Sequence, residues 1–279
     1  MSWLWIGFLV LLPSVARAFE PSVFIVVPQA PAQGDIVRFT MDMPHGASVG
    51  SVTLTGRKFG GFVTGGLLNV YVGIDLDTAP GTHTVAYEFS SGDKGEREIS
   101  VSKREFATEQ LTVDSKYTDL SSADLERANS EKARIQALWS VPPEPRRWTK
   151  SFVKPADGPN GSPFGLRRYF NGQPRSPHLG LDIKAPNGAP VYVSNTGRVV
   201  LAEELFFTGN TVVVDHGLGL FTFYAHLSSM SVKVGDDVDR SQLIGHVGAT
   251  GRATGPHLHW AVNLGGARVD PAMLPGMSL

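Results

Sequence analysis

Two stretches far apart in the chain most restrict what it can fold into: Pro177-His178-Leu179-Gly180-Leu181-Asp182 and Gly255-Pro256-His257-Leu258-His259-Trp260. A histidine and a carboxylate four apart, and two histidines two apart, are typical metal-site spacings. Side chains on a strand alternate between faces, so residues two or four apart share one. If both stretches are extended and neighbours in one sheet, His178, Asp182, His257 and His259 gather at one spot. Tyr224-Ala225-His226-Leu227, lying between them, offers one more imidazole.

Zinc takes imidazole and carboxylate ligands, and a catalytic zinc keeps one position open. Two neutral imidazoles and one carboxylate leave the site about one unit positive, which favours hydroxide over water and lowers the water pKa towards roughly 7. Four imidazoles and a carboxylate exceed what such a centre holds. Two histidines are therefore surplus, and imidazoles with an unperturbed pKa near 6.5 suit acid–base work. Spacing alone leaves open which two are surplus. It also leaves open a structural metal, which would fill all four positions.

The rest of the chain supports a β-rich reading. Its 279 residues suggest two domains, and 31 Gly with 19 Pro fit many turns better than a helical bundle. Residues 1–18 read as a signal peptide: an apolar run over residues 3–12, too short to span a bilayer, precedes Ala16-Arg17-Ala18, a small-x-small cleavage pattern. Export follows, with the periplasm as the expected compartment and secretion or an inner-membrane anchor as alternatives. Residues 19–104 contain short alternating runs separated by turns, such as Asp35-Ile36-Val37-Arg38-Phe39-Thr40-Met41 and Thr84-Val85-Ala86-Tyr87-Glu88-Phe89. They predict a small accessory β-sandwich, immunoglobulin-like, with no chemistry of its own. Residues 105–148 form a linker. It carries one helix over about residues 123–139, opened by Ser121-Ser122-Ala123-Asp124 and stopped by Val141-Pro142-Pro143-Glu144-Pro145. Leu125, Ala128, Ile135, Leu138 and Trp139 mark its apolar face, and its charged residues, Glu131 among them, read as solvated. Residues 149–279 are again strands, with a hairpin at Gly217-Leu218-Gly219. Lys+Arg 25 against Asp+Glu 26 leaves no basic stripe for nucleic acid. Cysteine is absent, which excludes disulfides and thiolate metal sites.

Ser162-Pro163-Phe164-Gly165-Leu166-Arg167, His178-x-x-x-Asp182, Tyr224-Ala225-His226-Leu227 and His257-Leu258-His259, in that order, resemble the lysostaphin-type (LytM-like, M23) zinc metallopeptidases. The likeness runs from about Ser162 to Pro271. It implies an antiparallel β-sheet peptidase domain with one Zn²⁺ per chain held by His178, Asp182 and His259. It leaves His226 and His257 as the catalytic imidazoles. The implied activity is hydrolysis of peptide bonds in peptidoglycan stem peptides or cross-links by metal-activated water. The alternative is a non-catalytic wall-binding or hydrolase-regulating module, although no motif position is substituted. Arg175 and Asn210 are candidates for substrate contact. His216 and His246 read as turn or structural residues. Contact of the N-terminal domain with the active-site groove is a further expectation.

Overall fold

The computed structural model describes residues 17–112, 121–140 and 143–277, so the leader reading of residues 1–18 lies almost wholly outside the described residues, as do Val141 and Pro142. Among the described residues no helix is long and apolar enough to cross a membrane.

The first unit has seven strands: β1 Phe24–Val27, β2 Ile36–Asp42, β3 Gly50–Leu54, β4 Arg57–Thr64, β5 Leu67–Gly73, β6 Gly81–Phe89 and β7 Lys94–Val101. They run in the order β1-β2-β5-β4-β3-β6-β7. The first half of β4 pairs with β3 and the second half with β5. Read as two layers, β1-β2-β5-β4 faces β3-β6-β7, which is the four-plus-three arrangement of a constant-type immunoglobulin sandwich. Phe39, Met41, Val52, Leu68, Val70, Val85 and Tyr87 fill the space between the layers. Strand β4 has no alternating signature, because Gly60 and Gly61 stand where it passes from one layer to the other. At Gly61 a Cβ would lie 2.6 Å from Leu68 and 2.8 Å from Val70, so glycine is needed there for packing.

Strand β8 (Thr108–Leu111) leaves the sandwich and pairs in parallel with β9 (Arg167–Phe170), which pairs with β10 (Gln173–Pro174). The sequence reading anticipated no strand in this part of the linker. Helix α1 (Ser122–Leu138) follows. The Ser121 hydroxyl accepts the Asp124 N–H at 3.1 Å and donates to its carboxylate at 2.7 Å, which fixes the start of the helix. The expected apolar face needs correcting. Leu125 is half exposed. Ile135, Leu138 and Trp139 make the contact, against Leu201, Leu205, Val213 and Phe221. Glu131, expected to be solvated, is the helix's buried residue.

The second unit is an antiparallel sheet. Its strands are β11 Gly180–Ile183, β12 Pro190–Tyr192, β13 Gly197–Leu205, β14 Gly209–Asp215, β15 Leu220–Met230, β16 Asp237–Val238, β17 Leu243–Val247, β18 Leu258–Leu264 and β19 Ala267–Val269. The main path is β11-β18-β15-β14-β13-β16, with β17 joining β12 to β15 and β19 added to β18. The expected hairpin at residues 217–219 joins β14 and β15.

The two units share one contiguous core. Part of their contact falls on the β18–β19 hairpin, whose turn is Gly265-Gly266, both with positive φ. A Cβ at Gly265 would lie 2.6 Å from the Phe59 ring, and one at Gly73 would lie 2.8 Å from Ala267. Arg268 donates to Asp75 at 3.0 Å and to Asp77 at 2.8 Å. Arg104 bridges Asp35 and Asp270.

His216 is fully buried in this sheet. Nδ1 donates to the Thr196 carbonyl at 2.9 Å, so Nε2 accepts from the Thr222 hydroxyl at 2.7 Å. Burial pulls its pKa down from 6.5 to about 4. The unfolded chain therefore binds the extra proton first, and stability present at pH 7 is lost as pH falls from about 6.5 towards 4. The shift corresponds to about 3 kcal/mol. Urea midpoints should drop across that window, and His216→Gln should flatten this part of the pH dependence while lowering stability at pH 7.

Candidate metal centre

Strands β11 and β18 are neighbours, with Asp182 directly opposite His259. Opposed residues share a face, so the carboxylate and the imidazole meet without special geometry. His178 lies just ahead of β11. Its Nε2 is 2.9 Å from His259 Nδ1 and 3.0 Å from Asp182 Oδ1, and His259 Nδ1 is 3.1 Å from the same oxygen. These three residues form a group able to hold a metal ion.

His178 Nδ1 lies 2.9 Å from the Pro163 carbonyl, which can only accept, so the proton sits there and Nε2 offers its lone pair. The His259 ring lies against Gly180 of β11, where a Cβ would come 2.5 Å from the Trp260 carbonyl, 2.7 Å from His259 Cε1 and 2.9 Å from its Nε2. Gly180 therefore makes room for a ligand, a role that sequence reasoning missed although the glycine stands inside the motif. Burial alone would raise the Asp182 pKa; hydrogen bonds and charge from His178 and His259 outweigh it and hold the carboxyl well below its usual range. Burial lowers the His259 pKa, with the Asp182 bond opposing it.

His257 and His226 flank this group. His257 Nδ1 donates to the Gly255 carbonyl at 2.9 Å, and Nε2 is 3.7 Å from Asp182 Oδ1. The His226 and His257 ring centroids are 4.8 Å apart, and His226 and His259 are 6.0 Å apart. His226 reaches this position through an irregularity in β15. Ala225 is opposite His259, so in a regular strand His226 would point to the other face. The register against β14 shifts here, from Val212 with Tyr224 to Asn210 with Leu227. His226 itself has φ +61°. A bulge of this kind re-aims a side chain, and a left-handed non-glycine residue is held only where its surroundings over-determine it.

Those surroundings are specific. His226 N–H donates to the Thr208 carbonyl at 2.8 Å. His226 Nδ1 donates to the Thr250 carbonyl at 2.8 Å. The Thr250 hydroxyl donates to Leu227 O at 2.8 Å and accepts the Asn210 N–H at 3.0 Å. Thr208 and Thr250 carried no signal in sequence, because each contributes a backbone carbonyl. Burial pulls the His226 pKa down to about 4, with the Thr250 bond opposing it, so the ring is neutral near pH 7 with Nε2 unprotonated.

The remaining sequence candidates have other surroundings. The Arg175 guanidinium is 5.5 Å from the Phe170 ring centroid, on the exposed β10 side. The Asn210 side-chain amide donates to Leu227 O at 3.1 Å, bracing the residue after His226. His216 is a buried network residue, and His246 Nδ1 pairs with the Ser229 hydroxyl at 3.0 Å.

The donor set fits zinc. Two imidazole nitrogens and one carboxylate oxygen are a three-residue set found at catalytic zinc centres. A tetrahedral centre with bonds of about 2.0–2.1 Å has ligand edges of about 3.3 Å, a few tenths wider than the triangle seen. A small outward shift of the side chains would admit the ion.

A profile of peptidase family M23 matches residues 176–271. The Peptidoglycan DD-endopeptidase ShyA of Vibrio cholerae is 35% identical over 164 residues, 58% of this chain and 34% of that protein. The DD-carboxypeptidase/endopeptidase Mpg of Neisseria meningitidis is 41% identical over 110 residues, 39% of this chain and 25% of that protein. The chain thus spans only about a quarter to a third of the length of these curated relatives. A crystal structure from Pseudomonas aeruginosa assigned to peptidase M23 is similar over nearly the whole chain: 34% identity, TM-score 0.71, covering 88% of this chain and 95% of that one. On that likeness, together with the ordered motifs, the chain belongs to peptidase family M23.

Proposed function

We propose that the chain is an exported zinc endopeptidase that hydrolyses peptide bonds in peptidoglycan, acting in the periplasm. The observation that carries this reading is the convergence of His178, Asp182 and His259, with two further imidazoles beside them. His178, Asp182 and His259 would hold the ion. When bound, zinc supplies Lewis acidity to the scissile carbonyl and lowers the pKa of water.

The chain's own groups do the rest. His226, kept neutral by burial, offers Nε2 as an acceptor that orients the attacking water. His257 is the more exposed of the pair, so it is the ring that the leaving amine can reach. It takes the proton and delivers it to the leaving amine. Asp182 stays ionised throughout, balancing part of the positive charge. The Vibrio relative is named a DD-endopeptidase and the Neisseria relative a DD-carboxypeptidase/endopeptidase, which supports a D,D-peptide bond; our reading is a cross-link between D-alanine and a diamino acid.

Incubating the purified protein with cell-wall sacculi, with and without chelator, tests this directly. The expected result is release of peptide products whose masses identify the bond, abolished by chelator and restored by zinc. Metal-loaded protein that binds wall fragments across mildly acid to mildly basic pH but never cuts them would sink the proposal, and would favour a wall-binding module.

A further inference from the structure

Helix α1 lies outside residues 176–271, the segment matched by the family profile. Its buried residue is a carboxylate, Glu131, 8% exposed. A buried carboxylate is costly unless its oxygens are bonded. Both of its oxygens are bonded. One accepts the Phe206 N–H at 2.8 Å, and the other accepts from Arg127 Nε at 2.8 Å. The Arg127 pair lies within the helix, on a half-exposed guanidinium, and adds little. The Phe206 bond joins the helix to the loop between β13 and β14.

That loop, Phe206-Phe207-Thr208, is fastened at every residue. Phe206 N–H is held by Glu131. The Phe207 carbonyl accepts the Arg252 N–H at 2.8 Å, and the Thr208 carbonyl accepts the His226 N–H at 2.8 Å. The last bond steadies His226 in its left-handed conformation. Without it the His226 backbone N–H loses its partner, and the Nδ1 bond to the Thr250 carbonyl is left to oppose relaxation towards regular strand geometry, which points the ring away from the metal group. The packing of Ile135, Leu138 and Trp139 on the sheet gives the helix a fixed seat from which to hold the loop.

We propose that α1 is a positioning element of the catalytic centre: through Phe206 and the Thr208 carbonyl, Glu131 fixes the backbone that aims His226. This rests on the peptidase reading above. Glu131 touches neither substrate nor metal ligands; it acts through the loop. A displacement of about 1 Å in a reacting group costs up to about 100-fold in rate.

The test uses the full chain carrying Glu131→Ala or Glu131→Gln. Glutamine keeps an oxygen for the Phe206 N–H. In Glu131→Ala, kcat on sacculi-derived peptides should fall about 10- to 100-fold, with KM changed less than about threefold and zinc content unchanged. Glu131→Gln should recover most of the loss. Amide hydrogen exchange at residues 206–208 and 226 should accelerate in the alanine variant and not in the glutamine variant. An alanine variant that keeps both its kcat and this protection overturns the proposal. So does equal loss of rate in the two variants, which would mean that the charge and not the loop bond matters. Should the alanine variant fail to fold, the wild type still decides: rapid exchange at the Phe206 amide refutes the anchor. If the wild type cuts no substrate, the peptidase reading fails and the exchange pattern alone judges the anchor.

Discussion

Asp182→Ala should yield a folded protein that contains almost no zinc and releases no measurable peptide from sacculi. Asp182 is the sole anionic donor of the triad, 3.0 Å from His178 Nε2 and 3.1 Å from His259 Nδ1. Removing it leaves two neutral imidazoles to hold a doubly charged cation. The effect should far exceed the roughly 10- to 100-fold typical of losing a residue that only supports a ligand. Elemental analysis against protein concentration checks the metal, and product mass spectrometry checks the cleavage. An alanine variant that retained one equivalent of zinc would show that the ion is held elsewhere.

His226→Ala and His257→Ala should have a different signature: one zinc per chain is kept, and hydrolysis falls by about 10²–10⁴. Neither ring belongs to the closely spaced group of three, and each spends its Nδ1 proton on a backbone carbonyl, Thr250 or Gly255. Combining the two substitutions should cost less than the product of the single losses, since residues that act as one unit are not additive. Zinc lost from either single variant would mean that ligand and proton-transfer roles have been exchanged.

That histidines and a carboxylate of the two motifs would cluster was legible because the geometry is local, while the choice of His178, Asp182 and His259 among them came from the family likeness. Alternation within each stretch, plus one strand pairing, brings His178, Asp182 and His259 together, and Asp182 sits opposite His259 as that pattern requires. His226 was legible as a residue type and by family likeness, but not by periodicity. It departs from alternation, and the bulge that turns it depends on carbonyls of Thr208 and Thr250, whose side-chain identities do not announce the role. Strand β4 was hidden by two adjacent glycines, of which Gly61 is demanded by packing. Glu131 was misjudged because a helical pattern shows which side is apolar, and cannot show that a carboxylate within reach of the sheet will find a backbone donor.

Strand β18 carries a consequence for how the two units can move. One end holds His259, and the other runs into the Gly265-Gly266 turn pressed against Phe59 of the sandwich. Swinging the sandwich aside would bare Ala267 and Val269 and leave Asp75, a nearly buried carboxylate, without Arg268. The first unit therefore acts as a footing under the far end of the strand that carries His259 and follows directly on His257. On the proposed reading, a cross-linked wall polymer would have to be met by the two units as they stand, without hinging them apart.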